Sequence, residues 1–197
     1  MKQIFVISAL ICLLLIAVGG AGCSGTGTSE VDQYIKMLSS GNDEEAKQAA
    51  EELILMGDEA VKPLIAVFSS GDDTASLWAA VTLCEIKEPA VGPLLASLGE
   101  GDEASRNWAV NTLSCIGDPA VEPLIGAIAS GNELRSESAQ VALIKMGADV
   151  KPRLAIELNT GNWDTDTKIA LQAVLQSIEL TDKYVAGQAA NATASAT

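Results

Sequence analysis

The sequence predicts an all-α protein built as a solenoid of stacked helix pairs, and three observations lead to that reading. Gly41, Gly71, Gly101, Gly131 and Gly161 recur at intervals of thirty residues, each followed by Asn or Asp. Leu53, Leu83, Leu113 and Leu143 keep the same spacing, as do Met56, Ile86, Ile116 and Met146. A proline series, Pro63, Pro93 and Pro123 with Pro152 one position early, sits in nearly identical phrases such as Glu88-Pro-Ala-Val-Gly-Pro-Leu and Asp118-Pro-Ala-Val-Glu-Pro-Leu. Self-similarity at a period of about 20 to 50 residues is the signature of repeat architecture, in which thin units bury their apolar faces only by stacking.

The first element in chain order is an export signal, spanning residues 1–22. Lys2 is its charged end, Ile4 to Val18 its apolar stretch, and Gly19 to Gly22 its small residues. That stretch is short for a membrane span, which needs about 20 apolar residues. Ala21-Gly22-Cys23 resembles a prokaryotic lipoprotein signal, with Gly20 standing where that pattern usually has an aliphatic residue. The resemblance implies cleavage before Cys23, lipid attachment there, and a body anchored on the outer side of the cytoplasmic membrane. Incidental placement of Cys23, with the signal cut elsewhere or kept as an anchor, is the alternative. Residues 23–30, rich in Ser, Gly and Thr, then read as a flexible tether. Gly20-Ala21-Gly22-Cys23-Ser24-Gly25 also matches GxGxxG, but that fingerprint works only between a strand and a helix, and no such unit follows.

Residues 31–180 form the expected solenoid. Val31–Ser40 aligns with Val61–Ser70, so the array opens on a half-unit, a single helix carrying Tyr34, Ile35 and Leu38. In each full unit a first helix runs from the Asn or Asp to the next corner, for example Asp72 to Ile86. Ala79, Leu83 and Ile86 lie on one of its faces at i, i+4 and i+7. A second helix runs from about Pro89 to Leu98, with Val91, Leu94, Leu95 and Leu98 as its buried stripe. The Asn or Asp is a favourable N-cap, the recurring Gly supplies a left-handed C-terminal residue, and the proline is expected early enough to cost little. A last helix from about Asp164 to Leu180, shifted by one residue near Trp163, closes the array. Residues 181–197 have little apolar content and are expected to be a disordered tail.

Composition excludes several kinds of function. The chain of 197 residues holds 26 acidic and 12 basic side chains, a formal charge of -14, and no histidine. An acidic surface is the wrong counterpart for nucleic-acid phosphates. Without histidine the chain lacks the commonest general base and a frequent metal ligand.

The units resemble HEAT repeats of the short kind found in phycobilisome-lyase-like proteins. The signature is clearest at Gly117-Asp-Pro-Ala-Val-Glu-Pro-Leu-Ile, and Arg106 falls where such repeats often carry an arginine. The resemblance implies a right-handed α-solenoid with its second helices on the concave face. Some relatives attach bilins, and deoxyhypusine hydroxylase builds a di-iron site from His-Glu pairs on the same scaffold. The absence of histidine excludes that iron site here, and no residue supports a lyase.

Three groups of side chains are candidates for more than packing. Cys84 and Cys115 lie on adjacent first helices, 31 residues apart, and read either as a disulfide or as small packing residues. The one-residue offset turns the two side chains about 100° apart around their axes. Packing is therefore the expectation. Trp78 and Trp108 occupy equivalent positions, one residue before the inward alanine, and read either as a partner-binding patch or as filler of the seam between units. The acidic clusters at Asp43-Glu44-Glu45, Asp58-Glu59, Asp72-Asp73 and Asp102-Glu103 read as complements of helix dipoles, or as a surface for cations or basic partners. Ala66, Ser69, Gly92, Ala96, Gly99, Gly126 and Ala129 give the second helices a smooth outer face that a peptide could line. Asn191 heads a glycosylation sequon.

The expected function is therefore that of an exported, membrane-anchored, monomeric scaffold that binds another protein or peptide. No catalysis, cofactor, metal or nucleic acid is expected. A lyase-like chaperone of cofactor attachment and a purely structural envelope element are the alternatives.

Overall fold

The computed structural model describes residues 29–194, with side chains through residue 188; the signal, Cys23 and most of the tether lie outside the described residues. In chain order the helices are α1 (Glu30–Leu38), α2 (Asp43–Met56), α3 (Asp58–Val67), α4 (Asp73–Ile86), α5 (Glu88–Glu100), α6 (Glu103–Ile116), α7 (Asp118–Ile128), α8 (Glu133–Met146), α9 (Lys151–Thr160) and α10 (Thr165–Ala194). A short 3-10 turn, Gly147–Val150, precedes α9. The even-numbered helices are the first helices of their units, and each packs beside the next to form one layer. The odd-numbered helices form the other layer, and each of α1, α3, α5 and α7 also packs against the first helix of the following unit. This is the stacked helix-pair architecture the period predicts, with α1 as the opening half-unit.

Each first helix starts on the same device. Asn42, Asp72, Asp102, Asn132 and Asp164 turn their side-chain oxygens back to accept an amide of the first turn, from Glu44, Ala75, Ser105, Arg135 and Thr167 respectively. These bonds satisfy amides that otherwise have no intrahelical partner. The opening helix uses a capping box, Ser29 and Asp32 bonding reciprocally.

The core is a set of ladders at the repeat spacing. Leu53, Leu83, Leu113 and Leu143 from the first helices, and Leu64, Leu94, Leu124 and Leu154 from the second, are fully buried. Ala49, Ala79, Ala109 and Ala139 are buried beside them and let the two layers approach closely. Fully burying one leucine contributes about 2 to 3 kcal/mol, so the ladders outweigh any surface term.

The corners differ from the expected simple pattern. Gly41, Gly71 and Gly131 take the left-handed backbone, with φ of 72°, 76° and 74°. Gly101 and Gly161 do not. They are needed for room: a Cβ on Gly101 would lie 2.7 Å from the Ser97 carbonyl, and one on Gly161 would meet the Trp163 ring. A second corner, between the two helices of a unit, has Gly57, Gly117 and Gly147 at φ 59°, 76° and 70°. Lys87 stands at the equivalent place in its unit with φ 66° and ψ -123°. An L-residue there is strained by about 1 to 3 kcal/mol. Pro63, Pro93 and Pro123 each lie within a second helix. They sit at its sixth residue, beyond the four unpartnered amides, so each forgoes one helical bond.

The exposed side of α10 carries Gln172 and Glu179 together with the apolar Ile169, Leu180, Tyr184 and Val185. Helix α10 does not stop near Leu180 but continues to Ala194, so residues 181–194, expected as disordered tail, are helical, and 195–197 lie outside the described residues. No proline interrupts it, and Asp182 forms an ion pair with Lys151 of α9. That contact holds the helix against the body past its last buried residue, Ile178. Among the described residues no helix is long and apolar enough to cross a membrane.

Candidate functional site

The repeat geometry assigns each position of a first helix to one flank. Positions equivalent to Trp78 and Trp108 face the preceding unit and the ends of the second helices. Trp108 reaches past the preceding unit to stack on Phe68 at the end of α3, two units back, with ring centroids 6.0 Å apart and planes 20° apart. Phe68 is 1% exposed, while both tryptophans are half-buried and pack against the core. Thr82 and Thr112, one turn further on, each donate to the carbonyl of the tryptophan four residues earlier. So the tryptophans fill the seams with one ring edge and reach the surface with the other.

The positions next to them point straight out. On α4 these are Leu77 and Val81, 54% and 45% exposed. The equivalent pairs are Lys47 and Glu51 on α2, and Asn107 and Asn111 on α6. On α8 they are Glu137 and Val141. Among α2, α4, α6 and α8 an apolar residue at both of these positions occurs on α4 alone, beside Trp78, with Val141 as a separate exposed residue, while α10 exposes Leu180 and Tyr184 past the last buried residue. Between α6 and α8 the same face opens into a groove of about 340 Å³ lined by Asn107, Val110, Asn111, Glu137, Val141 and Lys145. In the sequence the tryptophans stand out by residue type, whereas Leu77 and Val81 do not. Comparing equivalent positions across units, rather than following one helix, would have found them.

The cysteines correct an expectation. Cys84 and Cys115 form a disulfide, with Cα atoms 5.8 Å apart, within the usual bridging range. Taken on isolated helices, the one-residue offset turns the two side chains about 100° apart. Neighbouring first helices are related by the repeat, so positions thirty residues apart point the same way. A bond across the seam needs one residue on the forward flank of α4 and one on the backward flank of α6. The offset supplies that difference. Ser114, the true equivalent of Cys84, also faces forward, and its hydroxyl donates to the Ala142 carbonyl of α8 at 3.1 Å.

The acidic clusters are partly consumed by structure. The Ala75 amide, above all, holds the Asp72 carboxyl below its ordinary range, assisted by Ser39. The Ser105 amide does the same for Asp102, with help from Ser69, and the Thr167 amide for Asp164. Ser39 to Asp72 and Ser69 to Asp102 are thus rungs of one ladder between units. In the next rung Gly99 replaces the serine, and Asn132 and Arg135 crowd against it. Arg135 also pairs with Glu100 at 3.6 Å. Among the described residues no group of three or more His, Cys, Asp or Glu is placed to hold a metal ion.

Of the small residues on the second helices, Ala66, Ser69, Gly92, Ala96, Gly126 and Ala129 are exposed, whereas Gly99 is half-buried under Arg135. Asn191 falls within α10, outside the residues whose side chains are described. Comparison with known protein families and with curated proteins returns no match for this chain.

Proposed function

We propose that the protein is a non-catalytic scaffold of HEAT-like repeats, exported and lipid-anchored through Cys23, that docks another protein on the outer face of its first-helix layer. The observation that carries this reading is the exposed pair Leu77 and Val81 on α4, beside Trp78. Apolar side chains at i and i+4 with an aromatic edge alongside make the kind of anchor around which protein interfaces concentrate their energy. The acidic balance of the chain sets the partner's character, because a neutral or basic protein surface approaches it without repulsion.

A photo-crosslinking residue at position 77 tests the reading, with one at position 96 on the opposite layer as control. The expected result is one dominant adduct from position 77 that disappears in a Val81→Glu background. Equal or absent crosslinking from the two positions would remove the docking face. Anchoring has its own readout: Cys23→Ser should release the protein from the membrane fraction and change its mobility.

A further inference from the structure

The seam between α4 and α6 combines two features that occur together nowhere else among the described residues. One is covalent, the Cys84–Cys115 disulfide. The other is conformational. Lys87 holds a left-handed backbone three residues beyond Cys84, where three other units place glycine. The bond therefore fixes the end of α4 immediately before its strained corner. On α6, Cys115 shares a flank with Trp108, two helical turns earlier, and Trp108 covers Phe68.

Access to the bond is unequal. Cys115 is exposed and Cys84 half-buried. An incoming thiolate therefore meets the Cys115 sulfur first.

We propose that the Cys84–Cys115 disulfide is a thiol–disulfide exchange site, a reducible clamp that an external dithiol opens to release the α4–α5 corner and the Trp108–Phe68 stack. One thiolate of the dithiol attacks Sγ of Cys115, forming a mixed disulfide and expelling Cys84 as a thiolate, which takes a proton from water. The second thiolate of the dithiol then attacks the dithiol's own sulfur in that mixed disulfide. This closes the reagent's disulfide and expels Cys115, so two electrons pass from the dithiol to the protein. With the bond open, only packing holds the last turn of α4 against α6. Lys87 gains a downhill route out of its strained conformation, and the movement loosens the flank that carries Trp108. The clamp concerns the protein's own state and stands whether or not a partner docks on α4.

The test uses the full chain in mild detergent. Reduced glutathione followed by iodoacetamide and peptide mass spectrometry should place glutathione on Cys115 and the alkyl group on Cys84. The reverse pattern, free thiols at both sites in the protein as isolated, or resistance until global unfolding would overturn the exchange site. After dithiothreitol, amide exchange at residues 84–90 should quicken by about tenfold, with the equivalent corner at 144–150 unchanged. Acrylamide quenching of a Trp78→Phe/Trp163→Phe protein should rise by about twofold as Trp108 is uncovered. Exchange needs no substitution, so it decides even if that variant fails to fold. Equal exchange at 84–90 before and after reduction overturns the clamp. Reduced Lys87→Gly should exchange more slowly there than the reduced parent; equal rates would remove strain from the account.

Discussion

The α4–α6 seam and the α6–α8 seam are built from the same repeat and solved differently. Across the first, Cys84 reaches forward to a sulfur. Across the second, the equivalent Ser114 reaches forward to the Ala142 carbonyl. The corner beside the first seam is a strained Lys87, whereas the corners at Gly117 and Gly147 are relaxed because glycine pays no penalty at positive φ. The buried ladders are alike in both, with Leu83, Leu113 and Leu143 equally inaccessible. The repeat thus fixes packing and leaves the seam's edge free to vary, covalent and tense in one place, hydrogen-bonded and slack in the next.

That contrast can be broken at graded cost. The largest effect should come from Cys84→Ser/Cys115→Ser, which reopens a loop of 31 residues and lowers stability by about 3 to 4 kcal/mol. Urea unfolding of the oxidised parent and the double variant measures it; a loss below about 1 kcal/mol would mean the bond does not constrain the unfolded chain. Lys87→Gly should act the other way, raising stability by about 1 to 2 kcal/mol as the strain is relieved, partly offset by the entropy glycine adds to the unfolded state. Unchanged or lowered stability would show the corner is not strained. Ser114→Ala should lower stability by about 1 kcal/mol, because its bonds to Val110 and Ala142 are lost without leaving a buried charge. A double-mutant cycle with the cysteine pair would show how far the two seams are coupled.

The smallest effect is shared by both seams and depends on pH. Asp72, Asp102 and Asp164 have their carboxyls held below the ordinary aspartate range, first of all by the amides they cap. A group whose folded value is depressed stabilises the fold above its unfolded value and loses that contribution as pH falls through the folded value. The caps should therefore stabilise the fold fully and equally between about pH 7 and 5, and melting temperature should fall below about pH 4 as that contribution is lost. Asp72→Asn/Asp102→Asn keeps the capping oxygens and should flatten that fall. An unchanged acid limb in this variant would place the acid sensitivity elsewhere.

Much of the molecule was legible because its signals are local and repeated. Asn or Asp before an apolar run marks a cap in any fold, and Leu53, Leu83, Leu113 and Leu143 needed only their spacing to declare a buried face. Helix α10 was misjudged past Leu180 because composition shows low packing content there. It does not show the tether from Lys151 to Asp182, a contact between residues 31 positions apart. The candidate site was half legible: Trp78 and Trp108 stood out by residue type, whereas Leu77 and Val81 matter because both outward positions are apolar on α4, while α2, α6 and α8 each place a polar residue in at least one of them.

The sequence by itself determined the period, the alternation of helices, the caps and the inward faces, since each depends on residues within one turn of one another or on exact recurrence. Tertiary structure decided which flanks meet. The disulfide exists because neighbouring first helices are translated copies, so a bond across the seam joins a forward-facing position of one to a backward-facing position of the next. The same stacking sets Trp108 against Phe68, forty residues away. Those relations belong to pairs of units, and no single unit's sequence contains them.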